Sequence, residues 1–294
     1  MRKLGVHVSI AGGFPKALER AMALGCTTFQ IFSHSPRSWH LTGIPDEEAR
    51  QFIKQREKSG LGPVFIHACY LLNLSSPQTA LREKSVWMLE QELRRADIIG
   101  AEYVVLHSGR QEMAGEDEGG GRILFTESVK SVLGRGKNKK FRAGLLLENT
   151  AEAPAPGAPP SSIKALAHAA NEAGAAGICF DTCHGFASGY DIAASAGMEL
   201  LARQTQGVRV CLIHMNDSKG RLGSGLDRHE HLGKGAIGLE GFENFLGFGP
   251  PFRDVPAIME TPKKKEGDDP MNMKTAMELL ALEQRPSRVE KPEQ

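Results

Sequence analysis

No stretch of this chain is apolar over the roughly 20 residues that a membrane-spanning helix needs, so no segment of it reads as one. An excess of either charge is lacking as well: 36 Lys and Arg stand against 35 Asp and Glu, a formal net charge of +1. A global positive field is therefore absent. Contact with a polyanion has to come from local clusters such as Lys137–Arg142 or Lys263–Lys265, and both read first as solvated loops. There is no disulfide framework either. The five cysteines (Cys26, Cys69, Cys179, Cys183 and Cys211) are odd in number and scattered through apolar segments, which points to reduced, buried thiols and a cytoplasmic protein. Met1-Arg2-Lys3 ahead of Leu4–Ile10 imitates a leader only weakly. His7 interrupts the apolar run and Gly12-Gly13-Phe14-Pro15 follows, so a first strand and its turn fit better.

What is present is alternation. Short apolar runs rich in β-formers (Leu4–Val8, Thr27–Phe32, Val64–Ile66, Tyr103–Leu106, Gly144–Leu147, Ile178–Phe180, Val208–Ile213 and Ala257–Met259) are separated by segments of helical periodicity. Those segments include Pro15–Leu24, Glu47–Lys58, Pro77–Ile99, Ser161–Ala173 and Ala194–Thr205. The runs are apolar throughout, as strands covered on both faces require. Eight such strands with interleaved helices predict an α/β fold, a (β/α)8 TIM barrel, and 294 residues suit one barrel, which typically takes about 250. The expected organisation is one catalytic domain over 1–284 and a polar tail over 285–294. The Ala- and Pro-rich stretch Ala151–Ser162 reads as a loop.

The chemistry lies directly after the apolar runs. Val64-Phe65-Ile66 is followed by His67, Val104-Val105-Leu106 by His107, and Leu145-Leu146-Leu147 by Glu148. Ile178-Cys179-Phe180 is followed by Asp181, Cys211-Leu212-Ile213 by His214, and Ile258-Met259 by Glu260. In a parallel barrel all carboxyl ends share one face, so these six side chains can enter one cavity. Crowded together without a cation they would repel one another or undergo large pKa shifts, and divalent metal resolves the conflict. The N/O donor set suits Zn²⁺, with Mn²⁺ or Fe²⁺ also compatible. A lone strand-end His is more often a hydrogen-bonding group than a ligand; the coincidence at six consecutive strands decides for ligation. Two motifs extend the set. Asp181-Thr182-Cys183-His184 puts Asp and His on one face if a helical turn begins there, and Asp227-Arg228-His229 puts both side chains on one side of an extended segment. Nine candidates are too many for one ion and enough for three. Glu148 has two oxygens with which to bridge two of them, the usual arrangement for phosphate-ester hydrolysis.

These residues carry a family resemblance. The chain resembles the endonuclease IV family of apurinic/apyrimidinic DNA endonucleases over nearly its full length. The segments that carry it are Gly5-Val6-His7-Val8-Ser9, Gln30-Ile31-Phe32 with Pro36-Arg37-Ser38-Trp39, His67 with Tyr70-Leu71-Leu72-Asn73-Leu74, and Leu106-His107-Ser108-Gly109. Further on come Leu147-Glu148-Asn149-Thr150-Ala151, Phe180-Asp181-Thr182-Cys183-His184, His214-Met215-Asn216-Asp217-Ser218, Asp227-Arg228-His229 and Met259-Glu260-Thr261-Pro262. So many motifs in order are highly specific, unlike one short pattern.

The resemblance implies a xylose isomerase-like barrel and three Zn²⁺, one of them replaceable by Mn²⁺ or Fe²⁺. His67, His107 and Glu148 would hold the first; Glu148, Asp181, His214 and Glu260 the second; His184, Asp227 and His229 the third. Glu148 and Glu260 would be the catalytic carboxylates. The implied substrate is double-stranded DNA containing abasic sites, cut 5′ to the lesion by a monomer to leave a 3′-hydroxyl and a 5′-deoxyribose phosphate, with 3′-phosphodiesterase activity beside it. The abasic nucleotide would be flipped out, which costs least where no base is stacked. Arg37 matches the family's minor-groove wedge and Tyr70 a wall of the lesion pocket. One departure stands out: after Ala151 the family carries a glycine-rich stretch with Gln that grips DNA, whereas here Glu152-Ala153-Pro154-Ala155-Pro156-Gly157 is acidic and proline-rich.

Blander assignments cover the remaining candidates. His7 reads as a support for a ligand rather than a ligand, His34, His40 and His168 as surface or loop residues, and Cys183 as a buried inert thiol. Trp39 is equally compatible with stacking on nucleic acid and with packing on its own scaffold. Two other function classes compete. A metal-dependent sugar isomerase or epimerase uses the same barrel with one or two metals, and the third metal site is what separates the two readings. A protein that binds damaged DNA without cutting it is the other, and the unaltered ligand positions argue against it.

Overall fold

A computed structural model describes residues 2–108, 120–134, 141–153, 160 and 162–283. The proposed tail over 285–294, most of the basic run Lys137–Arg142, Pro154–Gly157 and Gly109 lie outside the described residues.

The element order is β1 (Leu4–Val6), α1 (Phe14–Ala23), β2 (Phe29–Phe32), α2 (Asp46–Ser59), β3 (Val64–His67), α3 (Thr79–Ile99), β4 (Tyr103–His107), α4 (Gly120–Leu133), β5 (Gly144–Glu148), α5 (Ser162–Ala173) and β6 (Gly177–Asp181). It continues with α6 (Thr182–Ala187), α7 (Ser195–Gln204), β7 (Val210–His214), β8 (Asp217–Ser218), β9 (His229–Glu230), α8 (Gly238–Gly247), β10 (Ala257–Met259) and α9 (Asp268–Glu283). Local sequence explains typical boundaries. In α2, Asp46, Glu47 and Glu48 face the positive end of the helix dipole and Arg56 and Lys58 the negative end. The helix stops at Gly60, whose φ of 68° is the left-handed conformation that a side chain would strain.

Eight strands form one parallel sheet in the order β1-β10-β7-β6-β5-β4-β3-β2. The seam between β1 and β2 is closed by a parallel bridge, His7 with Gln30, and by Val8 N–H donating to the Gln30 carbonyl at 2.8 Å. At that seam Gly5 is required: a Cβ there would stand 1.8 Å from the Thr28 carbonyl oxygen. The predicted (β/α)8 barrel is therefore the fold. Between strands and helices lies the large apolar core, and inside the barrel a second layer consists of Phe65, Val105, Leu146, Cys179, Cys211, Leu212 and Ile258.

That inner layer positions the site. Side chains two residues apart on a strand share a face. Two residues beyond Phe65, Val105, Leu146, Cys179, Leu212 and Ile258 stand His67, His107, Glu148, Asp181, His214 and Glu260. Each therefore turns toward the barrel axis one layer above the apolar floor, at the carboxyl-terminal mouth. The apolar runs end one residue short of five of these strands. The polar residues His67, His107, Glu148, Asp181 and His214 continue the backbone ladder and belong to the strands themselves. At β1 the difference is reversed: the run reaches Val8, but the chain past Val6 continues as bridge and loop.

Candidate metal centre

All nine predicted side chains converge at the mouth. Glu148, fully buried, is the hub: its Oε1 lies 2.9 Å from His214 Nδ1, and its Oε2 lies 3.3 Å from His107 Nε2 and 3.4 Å from His67 Nε2. His214 Nδ1 also faces Glu260 Oε2 at 3.4 Å and Asp181 Oδ2 at 3.9 Å. On the far side, His184 Nε2 meets Asp227 Oδ1 at 3.2 Å and His229 Nε2 at 3.4 Å. Asp181 caps α6, accepting from the His184 backbone N–H at 2.8 Å, so the helical turn expected from the Asp-x-x-His spacing is present. Asp227 lies on the excursion between β8 and β9, and His229 opens β9, paired antiparallel with Ser218 of β8.

The imidazole tautomers follow from their partners. His67 Nδ1 lies 2.7 Å from the Ala68 carbonyl, His184 Nδ1 2.9 Å from the Asn149 carbonyl and His229 Nδ1 3.0 Å from the Glu260 carbonyl. A carbonyl can only accept, so each Nδ1 carries a proton and each Nε2 is the ring nitrogen that faces the cluster. His214 is reversed: its Nε2 donates to Gln30 Oε1 at 2.9 Å, leaving Nδ1 for the cluster.

Ring nitrogens thus face carboxylates. Burial pushes His184 down, but Asp181, Asp227 and Glu148 outweigh it and raise the ring to about 10. Burial likewise opposes, and neighbouring acids overcome, a rise at His67 and a larger one at His214. Glu148 and Glu260 would be held neutral by burial, yet the surrounding imidazoles keep both well below the usual carboxylate range. The cavity demands positive charge. Glu148 Oε2 is buried without a hydrogen-bond partner, which a protein tolerates where a cation is meant to sit. Two groups of donors, His67 with His107 and Glu148, and His184 with Asp227 and His229, each gather within 4.8 Å, close enough to hold one ion. The residues fit divalent metal.

Supporting residues to which the sequence alone assigns no role complete the site. Gln30 Nε2 donates to Glu260 Oε1 at 2.6 Å and to His7 Nδ1 at 3.0 Å. Asn216 Nδ2 donates to Asp181 Oδ2 at 2.7 Å while its Oδ1 accepts from Glu260 N–H, tying β6 to β10. Asn149 clamps the Asp181 peptide from both sides. Asn149 and Asn216 stand beside predicted ligands, and a polar residue in a buried motif is the signal that could have found them. His7 contacts Glu260 at 3.2 Å, as a support for a ligand would.

Arg37 is exposed on the loop after β2, and Tyr70 is half exposed above His67, ring centroids 5.4 Å apart. The two loops are joined, Tyr70 N–H donating to the Pro36 carbonyl at 3.0 Å. Tyr70, His67, His107, Thr150 and Asp227 line a cavity of about 150 Å³. Trp39 lies under the Lys84 ammonium, 4.5 Å from its ring centroid. His34 is a correction: it is buried, not at the surface, because its Nε2 faces Glu92 Oε1 at 2.9 Å. Cys183 is buried and its thiol strongly raised by burial first and Asp181 second, so it stays protonated.

Fold and donor set define a TIM-barrel protein with candidate metal ligands clustered at the barrel mouth, and a family model described as a xylose isomerase-like TIM barrel matches residues 18–282. The chain belongs to the endonuclease IV family. A probable endonuclease 4 of Methanoculleus marisnigri is 39% identical over 281 residues, 94% of this chain and 98% of that one. One of Aquifex aeolicus is 39% identical over 285 residues, 95% and 98% of the two chains. The crystal structure of endonuclease IV from Thermus thermophilus superposes with a TM-score of 0.79 at 37% identity, covering 95% of this chain and 99% of that one. A D-psicose 3-epimerase, at 15% identity, TM-score 0.63 and coverage of 93% and 89%, shares the fold alone.

Proposed function

We propose that this protein hydrolyses the DNA backbone 5′ to abasic sites with three zinc ions at the barrel mouth. The observation that carries the proposal is the convergence of imidazole nitrogens and ionised carboxylates around Glu148, whose second oxygen has no hydrogen-bond partner. Family membership supports DNA as the substrate.

His67, His107 and Glu148 would hold one ion, Glu148, Asp181, His214 and Glu260 the second, and His184, Asp227 and His229 the third. Divalent metal bound there supplies positive charge against a phosphate and an acidified water at neutral pH. The chain does the rest. Glu148 directs one oxygen toward each of two donor groups and so fixes them side by side. Gln30 and Asn216 lock Glu260 and Asp181 in place before substrate arrives, so no reorganisation is needed during the reaction. Tyr70 and Arg37 stand at the rim, where an extrahelical sugar and the duplex groove would meet the protein. The proposed acting unit is the monomer.

A duplex carrying one tetrahydrofuran abasic analogue tests the reading, because the analogue cannot undergo β-elimination. Wild type should cut 5′ to it and leave a 3′-hydroxyl, and Glu260→Gln should lower the rate by more than about 100-fold. A zinc-loaded protein that epimerises a ketose and leaves the duplex whole would overturn it.

A further inference from the structure

Behind the rim lies a buried polar cluster that the metal centre does not use. Glu92, on α3, is fully buried away from the nine donors. Its Oε1 accepts from Cys69 N–H at 3.2 Å and faces His34 Nε2 at 2.9 Å, and its Oε2 accepts from Ser33 Oγ at 2.6 Å. One turn on, Arg95 donates through Nε to Ser33 Oγ at 2.8 Å and through Nη1 to the Thr42 carbonyl at 2.7 Å. His34, Cys69 and Glu92 are close enough to hold a cation, but both Glu92 oxygens already have protein partners, and burial pushes the Cys69 thiol up to about 11. The cluster is a fastening.

What it fastens is specific. Ser33 and Thr42 bracket the segment that carries Arg37, and Cys69 immediately precedes Tyr70. One carboxylate therefore grips both rim loops, which touch again where Tyr70 N–H meets the Pro36 carbonyl. A buried carboxylate costs several kcal/mol of desolvation, and a packed apolar residue would serve a purely structural purpose as well or better. We infer that Glu92 is a positioning residue: by fixing the spacing of Arg37 and Tyr70, it sets how well the protein distinguishes abasic from intact DNA. This rests on the proposed role of the two rim residues in contacting DNA.

The test uses Glu92→Leu, Glu92→Gln and Ser33→Ala in the zinc-loaded protein. Single-turnover incision of the tetrahydrofuran duplex gives the half-saturating concentration and the maximal rate, and anisotropy gives affinity for the same duplex without the lesion. Glu92→Leu should raise the half-saturating concentration about tenfold with the maximal rate and intact-duplex affinity within about twofold, so that discrimination falls about tenfold. Glu92→Gln, which keeps an acceptor for Cys69 N–H, should recover most of it, and Ser33→Ala should lose about threefold. Bound zinc should not change. If Glu92→Leu fails to fold, Ser33→Ala carries the same prediction. Unchanged discrimination with only a lower melting temperature overturns the inference, as does a fall in maximal rate at constant half-saturation. If wild type cuts no lesion duplex, the functional reading fails and takes this one with it; if wild type cuts and the variants discriminate equally, only this one fails.

Discussion

At the scale of single residues, protons and metal compete for the same atoms. In protein stripped of metal, His184 is raised from 6.5 to about 10, burial being outweighed by Asp181 and Asp227, so its contribution to stability is fully present below pH 6.5 and is lost as pH rises toward 10. Glu148 and Glu260 are held low, so theirs is present above the ordinary value of 4.5 and is lost as pH falls below it. Stripped protein should be most stable between those limits. Zinc displaces the imidazole protons, so the rise in melting temperature on adding zinc should grow from pH 6 to pH 8. Thermal melts with chelator and with zinc at both values check this, and a zinc effect that shrinks over that range would contradict it. Six of the nine ligand candidates were legible because each follows an apolar run at the same point, and His184, Asp227 and His229 because two short motifs carry them. Gln30 was not: it sits inside its run, between Phe29 and Ile31, and only barrel closure turns it toward Glu260.

At the scale of elements, the barrel strands and their order were readable from alternation, while the excursion from Asp217 to Ile237 was not. Its two-residue strands, β8 and β9, are too short for any periodicity. Backbone bonds hold part of it, Lys219 N–H donating to the Arg228 carbonyl at 2.9 Å and Ala236 N–H to the Ser218 carbonyl at 2.7 Å, and one side chain closes its base. Buried Asp217 accepts from Ser218 N–H at 2.8 Å and from Gly235 and Ile237 N–H at 3.0 Å each. Gly235 has to be glycine, since a Cβ would lie 2.4 Å from the Ser218 carbonyl oxygen. Asp217→Ala leaves three N–H groups without their acceptor and should cost about 3 kcal/mol in denaturant titrations. Because that excursion carries Asp227 and His229, the variant should also retain two zinc equivalents instead of three. Retention of all three at wild-type affinity would mean that the excursion is held by something else.

At the scale of the whole molecule, a closed parallel barrel brings residues from six strands, far apart in the chain, onto one face, and six short apolar runs were enough to foresee it. Near-neutral net charge provides no general positive field for a polyanion, so attraction of DNA has to rest on local charge. The central claim is that the clustered donors hold three ions and that those ions make the protein a hydrolase. Zinc titrated into chelator-stripped protein, with bound metal and incision of the tetrahydrofuran duplex followed on the same samples, tests it most directly. Saturation is expected at three equivalents, with incision 5′ to the lesion appearing as the sites fill. Incision by fully stripped protein in excess chelator, or an intact duplex at full loading, would contradict it.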